Sequence, residues 1–212
     1  MKCCTGWGRQ ALPIVLMAIA FLVLPFPSVA QSPNRGGELS VLILVRHADK
    51  AAEPQDDPPL TAAGEKRAQD LAATLRNAGV TAIITTQLRR TRETAEPLAT
   101  TLGLKPEVIT VAKGALVSDP AAHPELVQEA TAQRRGYIKE LDAVVRRFSG
   151  GTVLVVGHDW SVPGLIASLG GPQLPDICGS VYDNLFVLTF AGGKANLIQV
   201  HYGAPTPGTN CK

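Results

Sequence analysis

Val41-Leu42-Ile43-Leu44-Val45-Arg46-His47-Ala48 is an apolar run that stops abruptly at an arginine and a histidine. Five consecutive branched or apolar residues predict a strand buried on both faces, of the kind found inside a parallel sheet. The polar pair then stands at the strand's carboxyl end. That edge of an open α/β sheet is where ligands bind, and Arg46 beside His47 offers a planar anion fork next to a group that can act as nucleophile or base near neutral pH. Taken alone, such a pair more often only solvates a strand end, so the remainder of the chain has to decide between the two readings.

The chain has 212 residues, 45% hydrophobic and 18% charged, enough for a substantial core and suited to one domain. Lys2 and Arg9 flank an apolar stretch from Ala11 to Leu24, followed by Pro25, Pro27 and the small series Ser28-Val29-Ala30. This order predicts a secretory signal over residues 1–30, cleaved after Ala30, and hence a periplasmic or secreted protein. The apolar run is short for a spanning helix and is flanked by prolines, so no stable membrane insertion is expected after cleavage. Deleting residues 1–30 removes Lys2 and Arg9 and no acidic side chain, which leaves the mature net charge near zero. With no basic tract, nucleic acid is not an expected partner. Cys178 and Cys211 are the mature cysteines; export permits a disulfide between them, two free thiols are the alternative, and no zinc pattern is present.

Residues 31–40 form a flexible lead-in, 41–203 the domain and 204–212 a carboxyl tail. Ala48 to Leu60 is polar and proline-bearing, a candidate wall over the first strand's end. Thr61 is the expected N-cap of a helix whose buried face is Ala68, Leu71, Ala72, Leu75 and Ala78. Val80 to Thr85 predicts a second strand in parallel βαβ connection with the first. Arg89, Arg90 and Arg92 then open a helix with Ala95, Leu98, Ala99 and Leu102 on its buried face; an arginine beside free backbone N–H groups makes an anion site, whereas Arg89 and Arg92 read as a solvated face. Pro97 must fall in the first turn or bend that helix. Glu107 to Val111 is a short strand, Ala112 to Pro124 a long loop of the kind that forms lids, and a helix follows from Glu125 to Phe148. His123 in the loop reads as a surface residue.

Thr152-Val153-Leu154-Val155-Val156-Gly157-His158-Asp159 repeats the opening pattern of a buried strand ending in a histidine. A helix after Trp160 is entered through Pro163, and Leu185 to Phe190 and Ala195 to Tyr202 read as a hairpin around Gly192-Gly193. Two histidines and two arginines from three strand ends therefore share one side of a sheet and define a strongly cationic pocket.

Leu44-Val45-Arg46-His47-Ala48, Leu60-Thr61-Ala62-Ala63-Gly64, Leu88-Arg89-Arg90-Thr91-Arg92-Glu93-Thr94-Ala95 and Val156-Gly157-His158 resemble, in order, the motifs of the histidine phosphatase superfamily, over about Val41 to Phe190. The resemblance, to the phosphoglycerate-mutase-like branch in an exported form, implies a three-layer α/β/α sandwich around a mostly parallel mixed sheet. It implies His47 as the nucleophile that takes the phosphoryl group and yields it to water, Arg46 and Arg90 as the phosphate clamp, His158 as the residue completing the pocket, and no metal or other cofactor. The expected partner is a small phosphorylated substrate. Planar guanidiniums suit the equatorial oxygens and a neutral imidazole suits in-line attack. For the proton donor, Asp159 resembles the His-Asp motif of the acid phosphatase branch, while Asp119, Glu125 and Glu129 stand open as donors from the middle of the chain; Asp159 also reads as an N-cap. Ala48 replaces a glycine frequent in the family, and Trp160 reads as packing. The competing readings are a phosphohistidine protein phosphatase or mutase, and a catalytically idle phosphate-binding envelope protein.

Overall fold

The computed structural model describes residues 41–116, 125–148 and 150–207. The predicted signal segment and lead-in, His123, Asp119 and Cys211 lie outside the described residues. Six strands, β1 (Val41–Arg46), β2 (Val80–Thr86), β3 (Glu107–Ile109), β4 (Thr152–Gly157), β5 (Asn184–Ala191) and β6 (Lys194–His201), form one sheet in the order β3-β2-β4-β1-β5-β6. The pairings from β3 to β1 are parallel, and β5 and β6 run antiparallel at one edge. The sheet is thus mixed and mostly parallel, as expected.

Helices α1 (Ala62–Leu75) and α2 (Arg89–Leu102) cover one face, where Leu71, Leu75 and Leu98 meet Ile43, Val45, Leu154 and Val156. Helices α3 (Val127–Arg146) and α4 (Ser161–Ser168) cover the other, where Leu141, Val145, Leu165 and Ile166 meet Leu42, Leu44, Val153 and Val155. Alternate residues of β1 and β4 serve the two faces, which is why both strands are apolar without interruption.

The placement of β4 between β1 and β2 follows from no local signal. It sets Val41 to Arg46 against Thr152 to Gly157 in parallel register, and the His47 N–H continues the ladder to the Gly157 carbonyl at 2.9 Å. The first residues beyond the two strands, His47 and His158, therefore stand side by side.

Local departures from expectation have simple causes. Thr61 does cap α1, its hydroxyl accepting from the Gly64 N–H at 3.1 Å, but the helix ends at Leu75, so Ala78 falls beyond it and is exposed. Pro97 lies inside α2, where it has no N–H for the Glu93 carbonyl. The start of the long loop folds into a single 3-10 turn, Lys113–Leu116, that buries Ala115. Gly192 and Gly193, both at positive φ, make the tight β5–β6 turn.

Candidate active site

His47 is 3% exposed and its Nδ1 lies 2.9 Å from the Ala48 carbonyl oxygen. A carbonyl only accepts, so Nδ1 carries the hydrogen and Nε2 keeps its lone pair. Burial holds the His47 pKa well below 6.5, helped by the nearby His158, Arg46 and Arg90 charges and opposed by the Ala48 carbonyl. His158 is shifted the same way by burial and then by Arg90 and Arg46. Both rings are neutral at pH 7, and they meet edge to face with centroids 5.6 Å apart. The Ala48 N–H donates to Thr94 Oγ1 at 2.9 Å, tying the segment after His47 to α2.

Arg46 ends β1 and is buried. Its Nη1 donates to the carbonyls of Cys178 at 2.8 Å, Gly179 at 3.0 Å and Val181 at 3.0 Å, and its guanidinium lies 4.3 Å from the centre of the Tyr182 ring. Arg90, in the first turn of α2, is likewise buried. Its pKa is lowered by burial, against the pull of Asp57 and Asp159. Arg89 and Arg92 are exposed, and Arg89 pairs with Glu93.

His158 is oriented from two sides. Its backbone N–H donates to Ser161 Oγ at 2.8 Å, and its ring stacks on Trp160 with planes 16° apart. Trp160 is buried against Tyr137 and beneath Arg134, so it packs behind the pocket. Ala48 is fully buried with Leu60 and Ala68, a site where its methyl group fits.

Arg46 Nε, Arg90 Nε and His158 Nε2 are buried and have no hydrogen-bond partner within the described structure. Buried polar atoms are nearly always paired. Thr85 Oγ1, Gln133 Oε1 and Tyr202 Oη are also orphans among the described residues, but three of the six stand near the His47 imidazole. Two of the three are guanidinium donors, so the matching ligand is an oxyanion. Among the described residues no group of three His, Cys, Asp or Glu could hold a metal ion.

Asp159 is half-buried; it is felt electrostatically by Lys50 and Arg90, and its Oδ1 accepts from the Trp160 N–H at 3.0 Å. It does not cap α4, whose N-cap is Trp160 without a side-chain bond. Glu129 is exposed on α3 and bonded to Gln133, and Glu125 is exposed before that helix.

Two residues of the pocket escaped the sequence. Burial, and then the Arg90 and Arg46 charges, lower the pKa of Lys50. Tyr182, its ring 6.1 Å from that of His47, comes from an irregular Gly- and Ser-bearing loop with no periodicity to mark it. The first wall, Ala48 to Leu60, is closed at its neck by bonds from Ala51 N–H to Pro59 and from Thr61 N–H to Asp49; Asp57 and Glu93 tie it to α2 by accepting from the N–H groups of Arg89 and Leu60. Cys178 is disulfide-bonded, and its expected partner Cys211 lies outside the described residues.

Residues 42–112 match the histidine phosphatase superfamily (branch 1). The chain is 43% identical over 70 residues to the "Probable phosphoglycerate mutase GpmB" of Yersinia enterocolitica, an alignment covering 30% of this chain and 33% of that protein. The chain thus spans about a third of the length of the curated relatives it matches. The fold resembles the protein histidine phosphatase SixA, solved with tungstate, at a TM-score of 0.55 and 18% identity over 76% of this chain and 96% of that one. It also resembles a phosphoglycerate mutase from Bacillus anthracis at a TM-score of 0.52 and 17% identity, covering 77% and 93%. The ordered motifs and the paired histidines are thus similar to those of the histidine phosphatase superfamily (branch 1), over the first part of the domain, and the sheet shares its fold with the two solved structures.

Proposed function

We propose that this protein is an exported, metal-independent phosphatase that hydrolyses phosphomonoesters through a phosphohistidine on His47. The observation that carries the reading is the set of unpartnered buried nitrogens of Arg46, Arg90 and His158 around an imidazole whose Nδ1 is already committed to Ala48. In this reading the phosphate oxygens supply the missing acceptors. His47 Nε2 attacks phosphorus in line as the ester bond breaks and the leaving oxygen takes a proton from Asp159; water then attacks the phosphohistidine and gives its proton to the Asp159 carboxylate, which releases inorganic phosphate and restores both side chains. Guanidiniums and Lys50 form a donor set that attracts an anion and repels a metal ion, which supports a mechanism free of metal. Export rests on the composition of residues 1–30.

A mutase would use the same phosphohistidine and return the group to the substrate; the sequence similarity to a phosphoglycerate mutase favours that reading. The test is turnover of p-nitrophenyl phosphate by residues 31–212, with His47→Ala as the control. Phosphate release by the wild type, and an acid-labile phosphoryl-enzyme formed by it and not by the variant, are expected. Binding of phosphate without turnover between pH 4 and 8 sinks the enzyme reading, and isomerisation of a monophosphorylated substrate without net release favours the mutase.

A further inference from the structure

Arg46 is held in an unusual way. One nitrogen, Nη1, gives to three carbonyls of the 178–181 loop, while Nε has no partner, so the guanidinium is anchored at one corner and turned toward the pocket. The carbonyls hold one edge of the planar group, and the Tyr182 ring, 4.3 Å from the guanidinium carbon, covers its face. The centre of the same ring lies 6.1 Å from that of His47, the two planes tilted by 51°.

The tyrosine is itself clasped from outside. Its N–H donates to Thr206 Oγ1 at 3.3 Å, and the neighbouring Asp183 accepts from the Thr206 N–H at 3.3 Å and from the Thr206 hydroxyl. His201 Nδ1 lies 3.3 Å from the same carboxylate, whose pKa is lowered: the Thr206 bonds and His201 outweigh its burial. Ser180 donates to the Pro207 carbonyl at 3.1 Å. Residues 206 and 207 thus strap the loop that both anchors and faces Arg46.

We propose that Tyr182 is a positioning residue for the phosphate clamp: its aromatic face fixes the plane of the Arg46 guanidinium, and the strap at Thr206 fixes Tyr182. The inference rests on the phosphate-pocket reading above and adds to it the loop after Cys178 as the part that sets anion affinity. A cation over a ring face is attracted by the ring quadrupole, so the effect belongs to the aromatic face and not to the hydroxyl.

The test is binding of inorganic phosphate to residues 31–212 by calorimetry, with KM and kcat for p-nitrophenyl phosphate alongside. Tyr182→Leu, which keeps apolar bulk but has no π face, is expected to weaken phosphate binding about tenfold and raise KM by a similar factor, with kcat changed less than threefold. Tyr182→Phe is expected to stay within twofold of the wild type. If Tyr182→Leu does not fold, as judged by circular dichroism, Thr206→Val decides the matter, with an expected loss of about threefold in phosphate affinity. Unchanged affinity in Tyr182→Leu or, failing that variant, in Thr206→Val overturns the inference; so does a Tyr182→Phe variant as weak as Tyr182→Leu. A wild type that binds no phosphate overturns the proposed function and this inference with it, whereas equal binding by the wild type and Tyr182→Leu overturns this inference alone.

Discussion

His47 and His158 face each other edge to plane, ring centres 5.6 Å apart, and neither takes up the second proton that would charge it at neutral pH, because both are buried and stand near Arg46 and Arg90. The unfolded chain has no such constraint, and its imidazoles take up a proton near pH 6.5. Stability from these groups is therefore complete above about pH 6.5 and is lost as the pH falls toward their depressed folded-state values. Two protons taken up on unfolding correspond to a slope of up to about 2.7 kcal/mol per pH unit. Urea unfolding at pH 7.5, 6.0 and 5.0 in phosphate-free buffer checks this: a steep loss is expected for the wild type and a roughly halved slope for His158→Gln, and a flat profile contradicts it.

Thr94 connects the segment after His47 to Arg90. Its hydroxyl accepts from the Ala48 N–H and donates to the Arg90 carbonyl at 2.6 Å. Thr94→Val keeps the shape and leaves both groups buried without a partner, at an expected cost of about 1–3 kcal/mol. Turnover should fall with it, and Thr94→Ser should recover most of both losses. Denaturant midpoints and kcat/KM measured on the two variants separate the hydroxyl from the methyl group.

Gly64 explains the Leu-Thr-Ala-Ala-Gly motif in steric terms. A Cβ there would stand 2.2 Å from the Asp49 carbonyl oxygen, which also accepts from the Thr61 N–H and hydroxyl. Gly64→Ala must push α1 away from the backbone just after His47, with an expected loss of about 1–3 kcal/mol and a drop in activity. A thermal midpoint equal to the wild type would show that the contact relaxes freely.

Asp159 is the carboxyl expected to protonate the leaving oxygen, a demand that varies with the leaving group. Asp159→Asn should slow hydrolysis of an alkyl phosphate such as glycerol 2-phosphate by about a hundredfold, yet slow p-nitrophenyl phosphate only a few-fold, because nitrophenolate leaves without a proton. Equal losses on both substrates would remove Asp159 from the donor role.

Much of the sheet was legible because β1 and β4 are apolar runs that stop at polar residues, and α1 and α2 carry apolar residues at helical spacing behind Thr61 and Arg89. The same signals brought Arg46, His47, Arg90 and His158 to one edge. What the sequence could not show was that β4 lies directly beside β1, since strand order is fixed by packing between distant segments. Tyr182 was invisible for a related reason. Its contact with Arg46 joins residues more than 130 positions apart and leaves no local pattern, and Lys50 and Asp57 sit in a stretch whose path is set by bonds to α2.

The register of Arg46 against Gly157 acts as a ruler. Adjacent strands lie about 4.8 Å apart in every sheet, so the gap between the two histidines is inherited from the repeat distance of β structure and owes nothing to the loops. Insertions in the 48–60 loop, whose neck is closed by its own backbone bonds, can change its length while that spacing stays fixed.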